Sequence, residues 1–394
     1  MNSLTEKRAE WLEKIKNSEN ISERDFELLS RASAVFENNI IDSRSNAWGS
    51  YRGILPSPGK YDGVWNWDSA FHALALSRID PELAYEQIEI FLDFQGADGI
   101  FPDVIYADGT VKDNYSKPPV FPWAFVEVYR RSPKPELLPK AYESFCRNLD
   151  FWNSNRRDKK SGLYYYDCRP IDGDWKAHQK WESGMDDSPR WDNGVSQWLA
   201  VDLNGYMATF YDALSQMAEW LGLPEDKTKW QTCSAELKEL VNRELWDSKK
   251  QCFADRDRFT GEFSDVLSSA CFVPLFGECS DAEHAELMAK NAENPERFYP
   301  SMPTVAFECE AFNPTKYWRG PVWLNLAYFA AEGLRKYGYS ASADRIKEHV
   351  LSDAANEKRD IFEYYNARTG EGLGAKSFGW SAAFIIEFIL NTKK

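Results

Sequence analysis

The chain has 394 residues, a formal charge of −15 at pH 7 and 15% aromatic residues, including 16 tryptophans. So acidic a protein is a poor ligand for nucleic acid or an anionic membrane, and no apolar run of about 18 residues is present to span a bilayer. Seven scattered cysteines without a CxxC pair, behind a charged N-terminus with no apolar leader, predict reduced thiols, a cytoplasmic location and no zinc site.

Segment 1–50 is expected as an N-terminal helical extension of a single domain spanning 1–394. Within it, Ser22 followed by Glu23 and Asp25 predicts a helix start, and the helix should run to about Asn38. Apolar residues at helical spacing predict further helices near 68–79, 82–95, 120–131, 135–153, 200–221, 225–245, 264–276, 281–292, 321–337, 340–351 and 377–391. Short strands are expected only at 163–167 and 251–254. Residues 71–79, 122–129, 322–334 and 381–390 are apolar on nearly every face, which predicts burial. Residues 81–94 and 225–245 are amphipathic and predict an outer layer. Fully buried helices alternating with half-buried ones point to an all-α toroid of helical hairpins.

Loops that mix acids with aromatics precede the buried helices: 61–71, 98–106, 114–125, 181–191, 313–323 and 361–384. In a toroid the N-termini of inner helices open on one face, so these loops should converge on one pocket. Two carboxylates there suit glycosidic cleavage, one protonating the leaving oxygen and the other activating water. Tryptophans stack on sugar rings and exclude water, which raises the pKa of a buried acid.

The motifs WNWDSAFHALAL, GMDDSPRW, YWRGPVWLNLAY and FEYYNARTGEGLGAKSFGWSAAF, in that order from about residue 45 to the end, resemble glycoside hydrolase family 63 and, more distantly, trehalases. The resemblance implies an (α/α)6 barrel that hydrolyses α-glycosides with inversion. It implies Asp186 as general acid and Glu363 as general base, with Trp67, Asp68, Trp318 and Arg319 lining the sugar site. Trp65, Phe101, Asp103, Trp181, Trp323 and Trp380 on the same loops are further candidate contacts. Glu371 is expected as a hydroxyl ligand, and it is a second candidate for the base. Lys117 stands where many relatives have glutamine, and faces either an anionic aglycone or solvent. Arg190 is expected to orient the acid loop, and Asp187 is either its structural partner or an accessory acid. His72 and His178 are given no role, and Gly370–Gly372 reads as a flexible loop. The size matches compact mannosylglycerate and glucosylglycerate hydrolases, so a small α-glucoside or α-mannoside is the expected substrate. No cofactor or metal is implied, and the oligomeric state stays open. The alternative is an α-glucosidase on gluco-oligosaccharides or a trehalase-like disaccharide hydrolase; the competing reading from another class is a sugar epimerase or isomerase on the same toroid, disfavoured because only four histidines are present.

Overall fold

Helices form where the apolar period demands them. The computed structural model describes residues 3–18, 21–42, 47–169 and 179–391. Among these residues the helices are α1 (Leu4–Ser18), α2 (Glu23–Asn39), α3 (Asn66–Leu76), α4 (Pro81–Asp93), α5 (Phe121–Arg131), α6 (Leu138–Asn155), α7 (Val201–Trp220), α8 (Pro224–Glu244), α9 (Val273–Phe276), α10 (Ala282–Ala292), α11 (Leu324–Lys336), α12 (Ser340–Asn356) and α13 (Gly379–Leu390). The odd-numbered helices from α3 to α13 each touch the next, and α13 returns to α3, closing an inner ring. Outside it α4 lies on α3, α6 and α8 lie on α7, α12 lies on α11, and α2 lies on α13. This double ring is an (α/α)6 barrel.

Burial explains which helix goes where. Every residue from Gly379 to Ile389 in α13 is buried, as is every residue from Leu324 to Leu334 in α11. By contrast α8 buries one stripe, Trp230, Ser234, Leu237 and Val241, and leaves its other faces to water. The expected helix at 264–276 is broken. A 3-10 turn at Ser269–Phe272 leads into the single turn of α9, which has Pro274 in its first turn. Glycines on both neighbours admit it: a Cβ on Gly205 of α7 would stand 2.7 Å from the Val273 oxygen, and one on Gly333 of α11 would stand 2.8 Å from the Phe276 nitrogen.

Residues 1–50 do not all lie outside the ring, because α2 supplies the outer partner of α13. Its last residue, Asn39, donates through Nδ2 to the carbonyls of Leu55, Pro56 and Ser377. Short antiparallel strands carry several of the loops. β1 (Ile40–Ile41) pairs with β2 (Gly53–Ile54); β3 (Gly63–Trp65), β4 (Val104–Tyr106) and β5 (Val111–Lys112) form one sheet; β6 (Trp198–Leu199) pairs with β9 (Arg256–Asp257), and β10 (Phe362–Tyr365) with β11 (Gly372–Lys376). The expected strand at 163–167 is reduced to an isolated bridge between Arg157 and Tyr164. The one at 251–254 forms as β8 (Cys252–Phe253), paired with β7 (Trp246–Asp247). No helix among the described residues is long and apolar enough to cross a membrane.

At the far end of the ring, Glu387 of α13 is buried and accepts bonds from Arg78 and from Arg131 of α5, at 2.7 to 3.1 Å. Glu387→Leu strands both guanidiniums and is expected to cost about 3–5 kcal/mol, read as a lower denaturant midpoint; an unchanged midpoint contradicts the assignment.

Candidate active site

A cavity of about 80 Å³ opens at the N-terminal end of the inner helices, bordered by Tyr61, Trp65, Trp67, Asp68, Lys117, Gly184, Asp186, Tyr317, Glu363, Phe378 and Trp380. Among the described residues, no N-cap side chain closes the first turn of an inner helix; other segments take up some of these N–H groups, Asn66 donating to the Asp103 carbonyl, Val201 to Asp255 and Gly379 to the Pro56 carbonyl. A larger bowl of about 420 Å³ lies at the opposite end. Its charges are matched in pairs, Arg130 with Glu127, Lys238 with Asp212, Lys336 with Glu278 and Arg131 with Glu387.

Asp186 follows a 3-10 turn, Lys180–Ser183, and a left-handed glycine, Gly184 at φ 71°. A Cβ on Gly184 would collide with the Trp67 indole, so only glycine lets the loop close over that ring. Two buried charge clusters fix the loop. Glu182 accepts from Arg156 at 2.7 and 2.9 Å and from the backbone nitrogens of Ser116 and Asp167. Arg190 bonds Asp202, Asp255 and the Met185 sulfur. Asp187 is therefore not the partner of Arg190; its carboxylate accepts from the Trp318 backbone nitrogen at 2.8 Å. Asp187, three residues before Arg190, loses because the 3-10 turn at Pro189–Trp191 aims the guanidinium inward, toward the start of α7.

Asp186 keeps some accessible surface inside the cavity, and its Oδ1 has no hydrogen-bond partner among the described residues. Burial pushes its pKa up to about 7, opposed by Lys117 and assisted by the charges of Asp103, Asp187 and Glu363. Burial likewise raises Asp68 and Asp103, again against Lys117. Lys117 is 5% exposed, its ammonium 3.1 Å from Asp103 Oδ1 and donating to the Trp181 carbonyl. It does not point to solvent as one expectation had it. Burial works against its charge, and Asp103 and Asp186 more than compensate.

Glu363 lies on β10 and is 1% exposed. Tyr61 donates to its Oε1 at 2.8 Å; Lys60 and the Ala375 backbone nitrogen donate to Oε2 at 2.9 and 2.8 Å. All three neighbours donate, so among the described residues the carboxylate has no acceptor partner to which a proton of its own could be given. Lys60, Tyr61 and Tyr317 were missed in the sequence. Their only local signal is adjacency to the W-N-W-D and Y-W-R-G motifs.

Trp65, Trp67, Asp68, Lys117, Asp186, Glu363 and Trp380 are thus brought together, and other candidates are not among the residues bordering the cavity. Trp318 stacks on Trp323 at 3.7 Å and Trp323 on Tyr364 at 4.7 Å, a buried stack behind Trp67 and Trp380. Phe101 is core, packed on Phe121 and Phe145. Trp181 meets Tyr115 edge-on, and Asp103 reaches the site through Lys117. Arg190 is sealed between its two aspartates, and Arg319 grips Asp192 and the Asp187 carbonyl. Glu371 sits exposed at the hairpin turn, 3.8 Å from Arg359, so neither of its expected roles fits its position. Gly370 and Gly372 belong to that hairpin rather than to a loose loop. His72 is buried core, its pKa lowered to about 3 by burial, and His178 lies outside the described residues.

The family described as "Mannosylglycerate hydrolase MGH1-like glycoside hydrolase domain" matches residues 61–381. A mannosylglycerate hydrolase of Thermus thermophilus is 27% identical over 84% of this chain and 95% of its own. A glucosylglycerate hydrolase of Mycolicibacterium hassiacum is 22% identical over 92% of this chain and 98% of its own. The solved structure of a family 63 mannosylglycerate hydrolase of Thermus thermophilus in complex with glucose matches with a TM-score of 0.76 at 27% identity, covering 91% of this chain and 99% of the other.

Gly184→Ala forces the Trp67 ring and the acid loop apart. It is expected to lower stability by about 1–3 kcal/mol and to change the near-UV circular dichroism of the tryptophans; a variant unchanged in both contradicts the close packing.

Proposed function

This chain belongs to the MGH1-like glycoside hydrolase family, and we propose that it cleaves a small α-glycoside by single displacement, with Asp186 as general acid and Glu363 as general base. That it is a glycoside hydrolase of family 63 follows from the family match and its relatives. The observation that carries the assignment of roles is the asymmetry of the two carboxyls. Asp186 has a pKa raised to about 7 and a free oxygen. Glu363 borders the same small cavity and is held by three donors.

The chemistry follows from that asymmetry. Near neutral pH a sizeable fraction of Asp186 carries its proton and can deliver it to the glycosidic oxygen. The carboxylate left behind is stabilised by the Lys117 ammonium, which already opposes its protonation. Each carboxylate oxygen has two acceptor sites. Lys60 and Ala375 fill those of Glu363 Oε2, and Tyr61 fills one on Oε1, so one site on Oε1 remains for a water to be deprotonated. Trp65, Trp67 and Trp380 wall the cavity, keep other water out and offer ring faces to a pyranose. Asp68, buried beside Lys117, is placed to hold a sugar hydroxyl. The proposed substrates are α-mannosylglycerate and α-glucosylglycerate, supported by the activities for which two of the relatives are named.

Asp186→Asn and Glu363→Gln are each expected to lower kcat on these substrates by at least ~10²–10⁴ with folding retained. Because the acid works protonated, kcat/KM of the wild type should fall as pH rises through about 7, the value to which burial lifts Asp186. Full activity in either folded variant, or a rate unchanged from pH 6 to pH 9, would sink the assignment.

A further inference from the structure

Oε1 of Glu363 bonds Tyr61, which borders the cavity, whereas Oε2 bonds Lys60 and Ala375, which line an open surface groove. Lys60, Ala375, Ser57 and Lys376 line that groove. Lys60 is the only charged side chain paired with Glu363 among the described residues, and it is half exposed, its ammonium 2.9 Å from Oε2. We propose that Lys60 is a positioning residue for hydrolysis, which occupies Oε2 of Glu363 from the groove side and so presents Oε1 to the attacking water. This rests on Glu363 being the general base.

The surroundings of Lys60 are built to hold it there. Residues 57–61 form a tight turn in which the backbone nitrogens of Lys60 and Tyr61 both donate to the Ser57 carbonyl, at 3.2 and 3.0 Å. The Ser57 hydroxyl donates to the Lys376 carbonyl, and the Gly379 nitrogen donates to the Pro56 carbonyl. Asn39, at the end of α2, bonds both sides of this junction, at Leu55 and Pro56 and at Ser377. The turn therefore cannot shift relative to the β10–β11 hairpin without breaking bonds on three segments. The hairpin meets it from the other side: Gly374, at φ 77°, has no Cβ, and one placed there would stand 2.5 Å from Oε2. That open space lets the Ala375 nitrogen reach the same oxygen. A general base needs only one carboxylate oxygen, but it needs that oxygen at a fixed angle to the water and the sugar. With Oε2 saturated by Lys60 and Ala375, rotation about the Glu363 carboxyl exchanges two charge-assisted bonds for none, and the carboxylate stays set.

The test is steady-state kinetics of the full chain on α-mannosylglycerate and α-glucosylglycerate, comparing wild type, Lys60→Met, Lys60→Arg and Glu363→Gln. Lys60→Met should lower kcat at least about tenfold, part of the roughly 10²–10⁴ that a general base supplies. KM should stay within about twofold, because Lys60 is not among the residues bordering the cavity. Lys60→Arg, which restores a donor cation, should recover most of kcat, and both variants should melt with the wild type because the side chain is half exposed. A Lys60→Met enzyme with wild-type kcat, beside an inactive Glu363→Gln, overturns the role of Lys60 alone. A kcat loss that Arg does not rescue and that comes with a lower melting temperature also overturns it, as plain structural damage. An active Glu363→Gln, or a wild type that cleaves neither substrate, overturns instead the function on which the role rests.

Discussion

One buried ammonium holds the site together. Lys117 lies 3.1 Å from Asp103 and within electrostatic reach of Asp186 and Asp68; Lys117, Asp103 and Asp68 are buried, and Asp186 keeps some accessible surface. Uncompensated, each of those charges would cost several kcal/mol to bury. With one cation among three acids, the cluster cannot be neutral unless protons stay on some of the carboxyls. Burial lifts Asp186 to about 7, and the charges of Asp103, Asp187 and Glu363 add to that rise against Lys117. A glutamine at this position would leave Asp103 without its cation and remove the force that opposes protonation of Asp186.

The barrel exists, for this purpose, to keep that cluster dry and still. Its inner helices are apolar on nearly every face, so the polar openings lie at their ends. The loops at the N-terminal end are clamped by further buried charges, Arg156 with Glu182 and Arg190 with Asp202 and Asp255. The stack of Trp318, Trp323 and Tyr364 backs the cavity wall, and Trp323 also bonds the carbonyl of Tyr317, a cavity residue held at a positive φ of 29°. Aromatic bulk here sets backbone geometry. The N-terminal helix α2 takes part too, through Asn39.

The inner helices were legible because a segment such as 379–389 has no polar face to offer water. The acid loop was legible because three carboxylates, an arginine and two indoles crowd into residues 181–191. The hairpin that carries Glu363 was not. All four residues of β10 are buried, so the alternation that marks a strand is missing and the segment read as a loop. Trp318 and Trp323 were expected at the sugar, since motif membership does not say which face of an indole is covered. Arg190 was assigned the acid three residues away, while its actual partners lie 12 and 65 residues on. The Tyr61–Glu363 bond spans 302 residues, and no local pattern announces it.

Single displacement by an acid and a separately held base has a direct signature in the anomer released first. Proton NMR of the wild-type enzyme with α-mannosylglycerate and α-glucosylglycerate, recorded before mutarotation, should show the β-anomer of the free sugar. Release of the α-anomer would contradict the account, because Glu363 would then have to attack the sugar itself rather than activate water.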